Sequence, residues 1–296
     1  MWYNIFVMDI CVKDNDIILK KVKDFNLKHI FECGQAFRFN QTDENEYTGV
    51  AKGRALTIAQ NGDDVILYET SYDDFLNIWY DYFDLSTDYD KIKKTVNVDG
   101  YMREATSYGH GIRILHQELW EVIISFIISA SNNVPRIKGI IERLCNEFGE
   151  EIEYRGNIYH SFPTVQKLSS LTSDELNVIR AGFRDKYIID ACKKISNKDI
   201  SLKNLYNMPT QNAKEALMTI NGIGEKVSNC ILLFGLNRVD SFPVDVWIKR
   251  IMEYCYFDSE QSINTISSTA AEKFGAYGGY AQQYLFYWAR EKKIGV

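Results

Sequence analysis

The chain has 296 residues, enough for two or three domains, and its 46% hydrophobic and 25% charged content is that of an ordinary globular protein. No run of about 18 apolar residues occurs, so neither a membrane span nor a membrane partner is expected. The net charge of −6 excludes nucleic-acid binding by bulk positive charge, but 11 Lys and Arg face 18 Asp and Glu in residues 1–100, against 23 and 22 in residues 101–296.

The start, Met1-Trp2-Tyr3-Asn4-Ile5, has neither a basic segment nor a long apolar one, so no secretory leader is expected and a cytoplasmic location is. The cysteines Cys11, Cys33, Cys145, Cys192, Cys230 and Cys255 are scattered without a C-x-x-C pair. That pattern reads as reduced thiols, not as a zinc or iron–sulfur set. Across the first 105 or so residues the pattern is mixed. Segments 46–51 and 55–60 are strand-like around Lys52-Gly53-Arg54, and Asn61-Gly62-Asp63-Asp64 turns into 65–68. An antiparallel meander is predicted, followed by helical patterns at 72–82 and 89–96.

Beyond about Thr106 strand signals fade. Residues 119–129 form a strongly apolar helical run. Further helices are predicted at 134–148, 173–181, 185–195, 211–219, 225–236, 244–256, 263–274 and 281–291. Thr172-Ser173-Asp174-Glu175 has the form of a capping box. The expected fold class is α+β: an antiparallel β-rich N-terminal domain over 1–105, then a mostly helical region over 106–296. Its C-terminal helices can pack as a separate subdomain.

Within the helical region, Gly222-Ile223-Gly224 breaks one helix and Glu225 opens the next, giving helix, glycine hairpin, helix at about 211–236. Hairpin amides and the positive end of the second helix suit a phosphate. Lys226 lies in the first turn, where the helix dipole and partial burial both disfavour an ammonium charge, so it is a candidate nucleophile. Asp245 follows nineteen positions later, after Pro243-Val244, near the start of another helix. A carboxylate there can steady a cation or accept a proton.

Hairpin, lysine and Pro-Val-Asp, in that order, resemble the HhH-GPD superfamily of DNA glycosylases. There the hairpin lysine and the aspartate after Pro-Val form the active pair. The resemblance implies catalytic roles for Lys226 and Asp245, and backbone contacts to DNA at Gly222 and Gly224. The endonuclease III-like and adenine-excising branches usually carry a four-cysteine cluster near the C-terminus, which this chain lacks.

Three further segments resemble the 8-oxoguanine DNA glycosylases of the animal and fungal type. Cys33-Gly34-Gln35-Ala36-Phe37-Arg38 matches the segment whose glycine carbonyl accepts N7–H, a proton that guanine lacks. Ala281-Gln282-Gln283-Tyr284-Leu285-Phe286 matches the helix where a glutamine meets the base edge and a phenylalanine stacks on its face. Gln282 and Phe286, at i and i+4, share one helix side. Cys230 has the spacing of the cysteine on the base's other side. These resemblances imply an 8-oxoguanine pocket of Gly34, Cys230, Gln282 and Phe286.

Residues 125–143 resemble the asparagine-rich turn that fills the gap left by a flipped base. Asn132 and Asn133 match it, either with Ser131 in place of a first asparagine or with the turn shifted by one position. Arg136 and Arg184 fit the arginines that read the orphaned cytosine, and Phe183 the aromatic wedge. Trp247 stands where the family usually has a histidine on a flanking phosphate.

The resemblance implies a bifunctional glycosylase and AP lyase acting on double-stranded DNA with 8-oxoguanine, opposite cytosine, without a metal or redox cofactor; a monomer is the default for an enzyme that wraps DNA. A structural cation on the carbonyls of Met218, Ile220 and Ile223, as in related hairpins, is compatible with it. The location then is the nucleoid or the nucleus. Two alternatives stay open. One is an HhH-GPD glycosylase for another damaged base, such as an alkylated one, and the enzymes for alkylated bases usually lack the hairpin lysine. A non-catalytic hairpin DNA-binding module needs neither Lys226 nor Asp245.

Overall fold

The computed structural model describes residues 2–5 and 8–294; Met1, where the leader reading begins, lies outside them. Seven antiparallel strands form one sheet: β1 (Trp2–Ile5), β2 (Met8–Lys13), β3 (Asp16–Lys20), β4 (Asn40–Asp43), β5 (Glu46–Ala51), β6 (Arg54–Asn61) and β7 (Asp64–Leu67), in the order β1-β2-β3-β7-β6-β5-β4. Lys52 and Gly53 both take positive φ, 51° and 69°, the requirement of a two-residue hairpin turn between β5 and β6. Alternation puts Ile17, Leu19, Leu56, Ile58, Val65 and Leu67 on one buried side. The helical stretch 72–82 and the helix Leu27–Phe31 contribute to the same core through Phe75, Trp79, Tyr82 and Phe31.

The sequence reading placed no strands at 2–20 or 40–43, and none beyond Thr106. The structure adds these and a second hairpin, β8 (Glu151–Tyr154) with β9 (Asn157–His160), turned at Arg155 and Gly156 with φ of 51° and 72°. The Tyr154 hydroxyl accepts the Thr57 N–H and donates to the Tyr68 carbonyl, both at 2.9 Å, which ties this hairpin to the sheet.

The larger core is helical. Leu119–Ser129 is apolar on nearly every side and lies at its centre, with Ile123, Ile124, Ile127 and Ile128 buried. Fully burying one such side chain contributes about 1.5–3 kcal/mol. The helix Glu225–Gly235 packs along it: Phe126 and Phe234 stack at 5.4 Å, and a Cβ on Gly235 would lie 2.9 Å from Leu119 Cδ1. The C-terminal helix Gly278–Lys292 crosses close to the 239–241 loop, where the Gly279 N–H donates to the Val239 carbonyl at 2.7 Å. Thr172 and Glu175 form the reciprocal bonds of a capping box. All six cysteines are free thiols. No helix among the described residues is long and apolar enough to cross a membrane.

The sheet domain meets the C-terminal helix at His29, whose ring lies 4.9 Å from His110 and 5.2 Å from Tyr287. Burial, then the neighbouring His110 and Lys28 charges, push its pKa down to about 4, and its neutral Nδ1 accepts the Gly111 N–H at 3.3 Å. A histidine depressed below its unfolded value stabilises the fold above pH 6.5, and that stability is lost as pH falls through about 4. Unfolding midpoints measured between pH 7 and 4 should therefore fall less steeply for His29→Gln than for the unsubstituted protein.

Candidate active site

The hairpin follows the helix Thr210–Met218. Ile220 and Ile223 amides close successive turns onto the Leu217 and Ile220 carbonyls at 3.0 and 3.1 Å. One of the three carbonyls offered for a cation is thus already bonded within the hairpin. Gly222 takes φ +86°, and a Cβ there would sit 2.4 Å from the Tyr187 ring, so both conformation and space require glycine. The neighbouring Asn221 N–H donates to Asp190 at 2.7 Å. Gly224 then caps Glu225–Gly235 in extended conformation, without a side-chain cap bond. The first-turn amides of that helix keep their capacity for an anion.

Lys226, half-buried, follows in this first turn, its Nζ 5.7 Å from the Phe126 ring centroid. Asp245 is the N-cap of the helix Val246–Tyr256 and accepts the Ile248 N–H at 2.8 Å through Oδ1. Cys230 reports on both groups. Burial raises its thiol pKa most, the Lys226 ammonium pulls it down, and the Asp245 carboxylate adds to the rise. Nucleophile candidate, carboxylate and thiol therefore share one electrostatic site.

That site is one pocket, lined by Gly34, Lys226, Cys230, Asp245, Gln282 and Phe286 among others, and it holds about 40 Å³. It is narrow because Phe286 rests on Gly34: a Cβ on Gly34, whose φ is +81°, would meet Phe286 Cε1 at 3.2 Å. Gln282 is 5% exposed, and its Oε1 has no hydrogen-bond partner in the protein. An unpaired buried acceptor costs about 1–3 kcal/mol, which marks a place built for a donor from a ligand. A cleft of about 870 Å³ lies elsewhere, around Asp24, Thr87 and Arg113, but it carries none of these groups. Chemistry, not volume, distinguishes the smaller pocket.

Gln35 explains how Gly34 is held. Its Nε2 donates to the Ile30 and Arg113 carbonyls at 2.9 and 2.7 Å, and its Oε1 accepts the Leu115 N–H at 2.9 Å. The sequence reading did not single out Gln283, Phe126, Phe234 or Pro243 for this pocket. Gln283 donates to Cys33 Sγ at 3.3 Å. Positions 226, 230 and 234 fall on one helix side, so spacing alone could have found Phe234. Phe126 had no such signal within a helix that is apolar all round. Among the described residues, no group of three or more His, Cys, Asp or Glu has the geometry of a metal site.

Several of the candidate DNA contacts lie in or beside a turn at 130–133. Ser131 takes φ +50°. Asn132 Nδ2 donates to the Ile128 carbonyl at 3.1 Å, and Asn133 caps the helix Val134–Phe148 by accepting the Arg136 N–H at 3.0 Å. Arg136 is exposed, Phe183 is 54% exposed and Trp247 is half-buried in the first turn after Asp245.

Arg184 differs from a surface reader of bases. It is 2% exposed and donates to the Ala130 carbonyl through Nε and Nη2 at 3.0 and 2.6 Å, to Ser131 at 3.0 Å and to Ala181 at 3.1 Å. In this structure it braces the turn from beneath. Arg184→Ala should therefore destabilise the fold by about 2–4 kcal/mol, since the carbonyls of Ala130, Ser131 and Ala181 lose a buried, charged donor. Urea denaturation tests this, and an unchanged midpoint would contradict the bracing role.

Two family models match adjoining stretches of the chain. Residues 17–123 match the 8-oxoguanine DNA glycosylase N-terminal domain, and residues 124–275 match the HhH-GPD superfamily base excision DNA repair protein. The solved structure of MBOgg1 in complex with a low affinity DNA ligand is 44% identical, with TM-score 0.94, covering 97% of this chain and 99% of that one. The Clostridium acetobutylicum 8-oxoguanine glycosylase/lyase, solved with dsDNA containing cytosine opposite 8-oxoG, is 39% identical with TM-score 0.93, over 96% and 98%. The Saccharomyces cerevisiae N-glycosylase/DNA lyase is 35% identical over 221 residues, and the matched part spans 62% of this chain and 57% of the yeast protein.

Fold, hairpin and site thus define a base excision DNA repair protein, and the chain belongs to the HhH-GPD superfamily. Its sheet domain places it in the 8-oxoguanine DNA glycosylase branch of that superfamily.

Proposed function

We propose that this chain is a bifunctional DNA glycosylase and AP lyase that removes 8-oxoguanine from duplex DNA. The observation that carries this reading is the single pocket in which Lys226, Cys230, Asp245, Gln282, Phe286 and Gly34 meet, with a buried acceptor on Gln282 left unpaired. A flipped base lies between Cys230 and Phe286. Gln282 meets its Watson–Crick edge, and the Gly34 carbonyl accepts the N7–H that separates the lesion from guanine. Residues 1–105 supply the Gly34 wall, and residues 106–296 the catalytic helices.

Lys226, as the free amine, attacks C1′ of the flipped nucleotide and the C1′–N9 bond breaks. Asp245 stabilises the positive charge that develops on the sugar. The base leaves, and loss of a proton from the amine and opening of the sugar ring give a Schiff base between Nζ and C1′. Removal of a C2′ proton then expels the 3′ phosphate by β-elimination, and water releases the lysine. Phe183 enters the unstacked step. Asn132, Asn133 and Arg136 face the orphaned cytosine, and the Gly222, Gly224 and Trp247 region faces the backbone. We assign the protein to the compartment that holds chromosomal DNA, acting as a monomer.

The test is incubation with a duplex carrying one 8-oxoguanine opposite cytosine, in cyanoborohydride, beside an undamaged duplex. A lesion-dependent covalent adduct is expected. Equal trapping on both duplexes, or none with folded protein, would send the reading to another lesion class.

A further inference from the structure

The C-terminal helix presents Gln282, Phe286 and Arg290 at i, i+4 and i+8, so all three lie on one stripe. The first two line the base pocket; Arg290 lies just behind it. Its Nη2 donates to the Glu32 carbonyl, two residues before Gly34. Its guanidinium carbon stands 5.4 Å from the Phe286 ring centroid, and Nη1 is 3.9 Å from the point a Gly34 Cβ would occupy. One cation therefore touches the backbone that aims the Gly34 carbonyl and the ring that stacks on the base. The same charge reaches the buried Cys33 thiol, where it partly offsets the pKa rise that burial imposes. Its other partners are the Tyr287 ring, with the guanidinium carbon 5.8 Å from the centroid, and Glu291 at 3.0 Å, a neighbouring surface carboxylate that fixes little.

We propose that Arg290 is a positioning residue for lesion recognition, locking the Glu32–Gly34 backbone to Phe286 so that both walls of the base pocket keep their separation and tilt. The inference rests on the glycosylase reading above. A charged donor on a carbonyl and a cation over an aromatic ring are each appreciable when partly buried, and the planar guanidinium can do both at once. Lysine keeps the charge but not the fork. Arg290 hydrogen-bonds to neither Lys226 nor Asp245, so its influence falls on base capture and not on the sugar chemistry.

The two activities separate these roles. Excision of 8-oxoguanine needs the base pocket; cleavage of a preformed abasic site needs Lys226 but no base. Arg290→Gln is expected to slow single-turnover excision from an 8-oxoguanine–cytosine duplex by about 10–30-fold, while abasic-site cleavage stays within about twofold. Arg290→Lys is expected to recover most of the excision rate, to within about fivefold of the unsubstituted protein.

Three results overturn the proposal: excision by Arg290→Gln at the original rate, equal loss of both activities, or no recovery with lysine. If the glutamine variant does not fold, Arg290→Lys alone decides. Its excision should fall about three- to fivefold against unchanged abasic-site cleavage, and parity of the two activities overturns the proposal. Failure of the glycosylase reading itself shows in the unsubstituted protein, as no release of 8-oxoguanine, and overturns both.

Discussion

Lys226→Gln is expected to abolish covalent trapping and to lower excision and strand cleavage by at least about 10³-fold, because the amide has no lone pair available for attack at C1′. The substitution suits the site. Glutamine is a good helix former with a stem almost as long, and Lys226 is half-buried in a first turn closed by the Ser228 N–H on the Gly224 carbonyl at 2.9 Å. The hairpin geometry comes from Gly222, Tyr187 and Asp190, none of which the change disturbs. The variant should therefore melt near the parent temperature and still bind lesion duplex. Strand cleavage by a folded Lys226→Gln protein at anything near the parent rate would remove Lys226 from the nucleophile's role.

Asp245→Asn is expected to slow excision by about 10²–10³-fold with little change in stability. Asp245 does two things that the variant separates. As N-cap it accepts the Ile248 N–H, and asparagine caps a helix about as well. As a carboxylate it places a negative charge beside Lys226 and Cys230, and asparagine does not. Asp245→Ala loses both, and should add about 1 kcal/mol of destabilisation to a similar kinetic defect. Single-turnover rates alongside thermal midpoints resolve the two contributions. A fully active Asn variant would mean that capping, not charge, is what the position supplies.

The sequence made some parts of this protein legible and hid others for physical reasons. Long helices with a one-sided apolar pattern were readable to within a residue or two: the helix of Ile137, Ile140, Ile141 and Leu144 runs Val134–Phe148 as expected. The meander of β5 to β7 was readable because Lys52-Gly53 and Gly62 carry the turn chemistry. The hairpin of β8 and β9 is hard to see in the sequence although Arg155-Gly156 is the same kind of turn. Its strands are only four residues long, and Ile158 is 55% exposed, so there is little apolar contrast to detect.

The pocket was legible only through resemblance, since positions 34, 226, 245 and 282 are brought together by packing that no local pattern encodes. Arg184 shows the limit from the other side. Resemblance matches it to an arginine that reads the orphaned cytosine, yet in the fold its guanidinium turns inward onto two carbonyls of a tight turn, Ala130 and Ser131, and onto Ala181.

The helix Asp185–Ser196 works as a caliper. Phe183 stands at its leading end, while Tyr187 and Asp190, one to two turns further along, hold the hairpin that carries Lys226. In the proposed function, the gap between the step that Phe183 would open and the sugar that Lys226 would attack is thus set by one rigid bar, at about 1.5 Å for each residue. A single residue inserted between positions 184 and 187 would rotate the wedge by about 100° relative to the hairpin. The two ends would then grip the duplex out of phase, however well each was folded.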